Sequence, residues 1–113
     1  MKVESKPKTM FRTKVTGVTF KGRQGFIAYV AKNIQNSFVT LRRDPNNAYD
    51  KNAIQVIAVV KNGKTVQLGF VPKELARALA PAMDQGLRPW VINFRIHRGG
   101  PKGTYGVTID FTI

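Results

Sequence analysis

The sequence predicts a mainly β fold: a small, Greek-key-like β-barrel of about six to seven strands with one principal α-helix at about residues 72–84. Three observations predict it. Apolar and β-branched residues fall in short runs bounded by Gly-, Asn- and Pro-rich turns. Only one segment carries apolar residues at sustained helical spacing. The 113 residues contain no cysteine and suffice for one domain with a core that needs no disulfide or thiolate-bound zinc.

The elements follow in order. MKVESKPKTM (1–10) reads as a basic, flexible N-terminal tail, ahead of a single domain over 11–113. FRTKVTGVTF (11–20) has strand composition, with a bulge or bend at Gly17. GRQG is a turn, FIAYVAK (26–32) the next strand, NIQN a turn and SFVTLRR (37–43) a third strand. AIQVIAVV (53–60) is apolar enough for a central strand covered on both faces. KNGK is an Asn-Gly hairpin turn whose two central residues tolerate positive φ, and TVQLGFV (65–71) returns antiparallel. In PKELARALAPAMDQG, Pro72 suits a first helical turn, Glu74 the positive end of the dipole and Gly86 the C-terminal cap. Leu75, Leu79, Ala82 and Met83 share one face, and Pro81 ends or kinks the helix. PWVINFRIHR (89–98) and TYGVTIDFTI (104–113) form the last strands around GGPKG.

Charge dominates the composition: 19 Lys and Arg against 6 Asp and Glu, a net +13. A polyanion, nucleic acid first, is the partner class this implies, against the plainer reading of a basic solvated surface. The N-terminus lacks the apolar region of a signal peptide, and no apolar run approaches the roughly 20 residues that cross a bilayer. No membrane partner is therefore expected. A cytoplasmic location is, or a nucleoid-associated one in a bacterium.

Catalysis has a thin inventory. His97 is the sole histidine, between Ile96 and Arg98, and a lone histidine at a strand end is more often a surface residue than a base. Ser5 and Ser37 lack spaced partners, and the spacing of Asp44, Asp50, Glu74, Asp84 and Asp110 calls for no metal. The expectation is a non-enzymatic protein without cofactor or metal.

Binding has a richer one. Arg12, Lys14, Lys21, Arg23, Arg42, Arg43, Lys51, Lys73, Arg77, Arg95, Arg98 and Lys102 alternate with Phe20, Phe26, Tyr49, Phe70 and Tyr105. Aromatics beside cations suit a single strand, whose bases stack on rings while phosphates follow the charges. Phe20 and Phe70 serve equally well as core residues, and Phe26 better as core than as contact. Tyr49, inside a polar loop, gains little from burial and reads as a contact. RGGPKG, at the last hairpin, adds a basic tip.

DPNNAYDKNAI (44–54) holds two of the six acids. Asp44, Asn46 and Asn52 are turn chemistry, since such side chains bond their own backbone. Asp50, after Tyr49 and before Lys51, is not explained that way. A carboxylate accepts hydrogen bonds and repels phosphate, so it suits a hydroxyl donor, and a site built around a hydroxyl rejects analogues that lack it.

VTGVTFKGRQ, LRRDPNNAYDKNAIQV and LGFVPKELARALAPAMDQG together resemble the HIRAN domain family, from about Val15 to the C-terminus, with the central segment the most specific and the last hairpin the loosest. The resemblance implies a modified OB-like barrel that binds single-stranded DNA by its 3′ end. It implies that Asp50 accepts the terminal 3′-hydroxyl and that Tyr49 packs on the terminal nucleotide. Asn47 belongs to the same loop, Lys73 reaches phosphate, and Phe20 stands where a base-stacking tyrosine is expected. Thr19 replaces an arginine, for which Arg23 is a substitute; Phe70 replaces a histidine and Ala48 a proline; Tyr105 matches a late aromatic. Arg43 joins Arg23 and Lys73 as a phosphate-holding candidate. No remodelling motor lies in these 113 residues, so fork remodelling would need a helicase or nuclease partner. The expected function is thus non-catalytic recognition of free 3′ ends. A general DNA- or RNA-coating barrel and a protein-interaction module are the alternatives, with a metal-dependent nuclease ranked last.

Overall fold

A computed structural model describes residues 9–99 and 103–113. Six strands and two helices follow in the order β1 (Met10–Lys14), α1 (Arg23–Lys32), β2 (Ser37–Arg43), β3 (Ile54–Val60), β4 (Thr65–Phe70), α2 (Lys73–Asp84), β5 (Trp90–Arg98) and β6 (Tyr105–Thr112). The strands form two antiparallel three-stranded sheets, β1-β6-β5 and β2-β3-β4. β3 is central in its sheet, as its continuous apolar run requires.

The fold is mainly β, six-stranded and OB-like in organisation, although hydrogen bonding does not run unbroken around a closed barrel. One two-residue bridge joins the sheets instead: Thr16 N donates to Phe70 O at 2.8 Å, and Phe70 N donates to Thr16 O at 2.9 Å. That approach needs Gly69, where a Cβ would collide with Thr16 O. Val39, Ile54, Val56 and Leu68 from one sheet meet Val107, Ile109 and Phe111 from the other in a single core. Phe11 stacks on Phe111 with ring centroids 5.3 Å apart.

The principal helix lies where its spacing predicts. It buries Ala76, Leu79 and Ala80, with Leu75 and Met83 half-buried against the core. It runs through Pro81 for another turn and ends in a Schellman motif. There Gly86 N donates to Met83 O, and Leu87 N donates to Ala82 O.

The structure differs from the local expectations at several points. Residues 26–32 are helical within α1, not a strand. Ile27 and Val30, three residues apart, are its buried face. In consequence Phe26, expected in the core, points outward and is 47% exposed. The first strand stops at Lys14, because the chain leaves the sheet and turns at Gly17, φ 73°. In the KNGK turn only Gly63 takes positive φ, while Asn62 Oδ1 accepts from Lys64 N. Met10, assigned to the tail, opens β1, and the rest of that tail through Lys8 lies outside the described residues, as does the RGGPKG tip from Gly100 to Lys102.

Candidate nucleic-acid groove

The bridge between the sheets forms part of one wall of an open groove of about 340 Å³, lined by Thr16 and Phe70 from the bridge itself. Above them stand Phe20, Lys21 and Arg23 from the turn into α1; opposite are Asn47, Tyr49, Asp50 and Ala53 from the β2–β3 loop; Val71 and Lys73 close the α2 end. Seven of the nine residues singled out in the sequence therefore face one space: Phe20, Arg23, Asn47, Tyr49, Asp50, Phe70 and Lys73.

The loop opposite the turn is held by its own polar side chains. Asn47 Oδ1 accepts from the backbone N–H of Tyr49 at 2.9 Å and of Asp50 at 3.0 Å, and Asn47 Nδ2 donates to Asp44 Oδ2 at 3.0 Å. Gln55 Nε2 donates to the same Asp44 oxygen at 3.3 Å, while Gln55 Oε1 accepts twice from Arg42. Asp44 and Asn47 thus build the loop, and they leave Tyr49 and Asp50 presented by it. Tyr49 is 91% exposed. Asp50 Oδ1 accepts from Asn52 N at 2.9 Å; among the described residues no hydrogen bond reaches its other oxygen.

The facing wall is a stack. The Arg23 guanidinium lies 5.4 Å from the Phe20 ring centroid and 5.1 Å from that of Phe70, with Nη1 donating to Gly17 O at 2.9 Å. Its partial burial lowers its pKa from the ordinary arginine value. Phe20 is half exposed, and Lys21 also sits over its ring at 5.5 Å. Lys21 is the one non-glycine residue with positive φ, at 48°, among those described. Such a conformation costs about 1 kcal/mol or more and tends to collect at ligand sites. Lys73 is exposed at the first turn of α2, whose amides no side chain caps.

Two candidates do not line the groove. Arg43 is bound elsewhere: Nη1 donates to Ala53 O at 2.7 Å, Nη2 to Lys51 O at 3.0 Å, and Nε to Asp84 Oδ1 at 2.9 Å. That contact holds the Asp84 carboxyl below its ordinary pKa. Tyr105 opens β6 under the Arg98 guanidinium, and its backbone exchanges hydrogen bonds with Gln24. Thr16, Val71 and Ala53 line the groove without having been singled out: the cross-sheet bridge brings Thr16 there beside Phe70 and Val71, and Ala53 closes the β2–β3 loop.

The HIRAN domain family matches residues 8–99. The chain belongs to the HIRAN domain family. HIRAN is a DNA-binding domain. The human helicase-like transcription factor is 46% identical over 77 residues, covering 65% of this chain and 7% of that protein. Its rabbit (Oryctolagus cuniculus) counterpart is 56% identical over 52 residues, covering 46% and 5%. A Fanconi-associated nuclease 1 homolog of Oryza sativa subsp. japonica is 41% identical over 51 residues, covering 45% and 5%. The HIRAN chain thus spans a small fraction of these relatives. No solved structure matches it significantly. Among the described residues no helix is long and apolar enough to cross a membrane.

Proposed function

We propose that the groove binds single-stranded DNA by a free 3′ end, without catalysis, and that the domain thereby places a DNA-processing partner of helicase or nuclease type at that end. The convergence of Tyr49 and Asp50 with Phe20, Arg23 and Lys73 on one groove carries this reading. Asp50 accepts the terminal 3′-hydroxyl with the oxygen its own backbone does not use, and Tyr49 packs on the terminal nucleotide. Phe20 stacks the next base, with its face set by Arg23 and Phe70. Lys73 and Arg23 supply charge to phosphate, and Asn47 positions the loop. Phe70, in the place of the family's histidine, contributes a ring face and no proton donor. Arg23 brings to the groove the guanidinium that Thr19 does not.

Fluorescence anisotropy at fixed salt tests this with one short strand ended by a 3′-hydroxyl or a 3′-phosphate. A hydrogen bond to a charged group is worth about 1.5–3 kcal/mol. The phosphorylated end should therefore bind roughly tenfold to a hundredfold more weakly. Asp50→Ala should shrink that ratio more than it lowers overall affinity. Equal binding of both ends would replace end recognition with general coating of single strands by charge. Incubation of DNA with magnesium or manganese, leaving the strand uncut, checks the absence of nuclease activity.

A further inference from the structure

The outward face of the β1-β6-β5 sheet carries side chains that the groove does not use. Register places Arg12 beside Asp110 and Asn93, and Lys14 beside Thr108 and Arg95. Trp90 and Met10 flank Thr112 at the far end. Alternation along these strands sends Phe11, Ile109, Phe111 and Phe94 to the core and this set to the opposite face. Trp90, the only tryptophan of the chain, is 69% exposed there.

The charge on this face is fixed in place. Asp110, 5% exposed, accepts from Arg12 Nε at 2.7 Å and Nη2 at 3.2 Å, and from Arg95 Nη1 at 3.3 Å. One covered carboxylate therefore holds two guanidiniums side by side, and both keep unbonded N–H groups toward solvent. It is the sole acid of the face among the described residues, and Lys14 stands beside it without an ion pair. Lys14 and Thr16 project from the same side of the chain, with buried Val15 between them, and Thr16 lines the groove. A row of cations thus runs from the groove across the sheet toward an exposed indole, about 20 Å away at the strand rise of ~3.3 Å per residue.

We propose that this sheet face is a second contact surface for the same single strand, with Arg12, Lys14 and Arg95 following the phosphates and Trp90 stacking a base several nucleotides from the groove. The direction of the strand rests on the 3′-end reading of the groove; the contact itself does not.

The single tryptophan makes the test direct. Strands of about 4 nucleotides fill the groove alone, and strands of about 12 also cross the sheet, within the span of site sizes that such folds show. Tryptophan emission should change on adding the longer strand and stay constant with the shorter. Trp90→Ala should weaken the longer strand roughly fivefold or more and leave the shorter unchanged, with Trp90→Phe recovering most of the loss. Lys14→Glu, at a side chain with no ion pair, should flatten the longer strand's salt dependence by about one unit of slope. Constant emission with both strands, or equal affinity and salt slope for both, would overturn the proposal. Comparing 3′-hydroxyl with 3′-phosphate on the short strand keeps the two readings apart, because loss of end preference leaves the length-dependent emission change intact.

Discussion

Replacing Arg23 removes the centre of the groove's aromatic wall. In the native protein its guanidinium lies between Phe20 and Phe70 and donates to Gly17 O. Each ring contact at a partly exposed site is worth about 0.5–1 kcal/mol, and the hydrogen bond a net of about 1 kcal/mol. Arg23→Ala should therefore destabilise the free protein by about 2–3 kcal/mol. For a domain of this size that lowers Tm by at least about 8 °C. Lysine keeps the charge but has no planar group to lie between two rings. Arg23→Lys should accordingly restore the salt dependence of DNA binding while recovering less than half of the lost Tm. Differential scanning calorimetry without DNA and anisotropy with a short strand measure the two effects separately. An unchanged Tm in Arg23→Ala, or full recovery of it by lysine, would show that the stack does not hold the wall together.

Three further outcomes are expected. Asn47→Ala removes an acceptor for two backbone amides and a donor to Asp44, so chemical denaturation should show a loss of about 1–3 kcal/mol, with end preference falling alongside. Gly69→Ala brings a methyl group onto Thr16 O, which the backbone cannot yield without opening the bridge; it should cost about 2 kcal/mol or more by the same measurement. Asp110 has a folded pKa below its unfolded value of 3.8, through hydrogen bonding to Arg12 against the cost of burial and with further help from Arg95. The stabilisation this supplies is complete above pH 3.8 and disappears as pH falls through the lower folded value. The acid limb of a stability–pH curve should consequently be shallower in Asp110→Asn.

Much of the fold could be read from short-range patterns. β2 to β6 lie within a residue or so of their expected bounds, because apolar runs between turn residues leave few alternatives. The segment 26–32 misled, since Phe, Ile, Tyr and Val favour strands while the three-residue spacing of Ile27 and Val30 favours a helix; burial on one side decided for the helix. Tyr49 stood out because turn chemistry accounts for its polar neighbours and not for an aromatic ring; Asp50, read as lying outside that chemistry, takes part in it through one oxygen, which accepts from Asn52 N. The engagement of Arg43 was not legible, because its partners Asp84 and the Lys51 carbonyl come together only in the folded chain. Trp90 escaped notice for a related reason: its place beside the cations depends on cross-strand register, although a lone tryptophan directly after Pro89 at a strand start was a usable hint.

The bridge between Thr16 and Phe70 is both part of a wall of the groove and the hydrogen-bonded seam between two sheets that otherwise meet only through side chains of the shared core. A ligand spanning that groove touches both halves of the fold at the point where they are tied by two hydrogen bonds, and so acts as a removable third tie. Occupancy and closure of the seam then become one equilibrium. The amide protons of Thr16 and Phe70 should exchange more slowly as DNA is added, in proportion to ligand concentration over Kd. DNA held in the groove would thus stiffen both halves of the fold together, at the seam rather than at the contact alone.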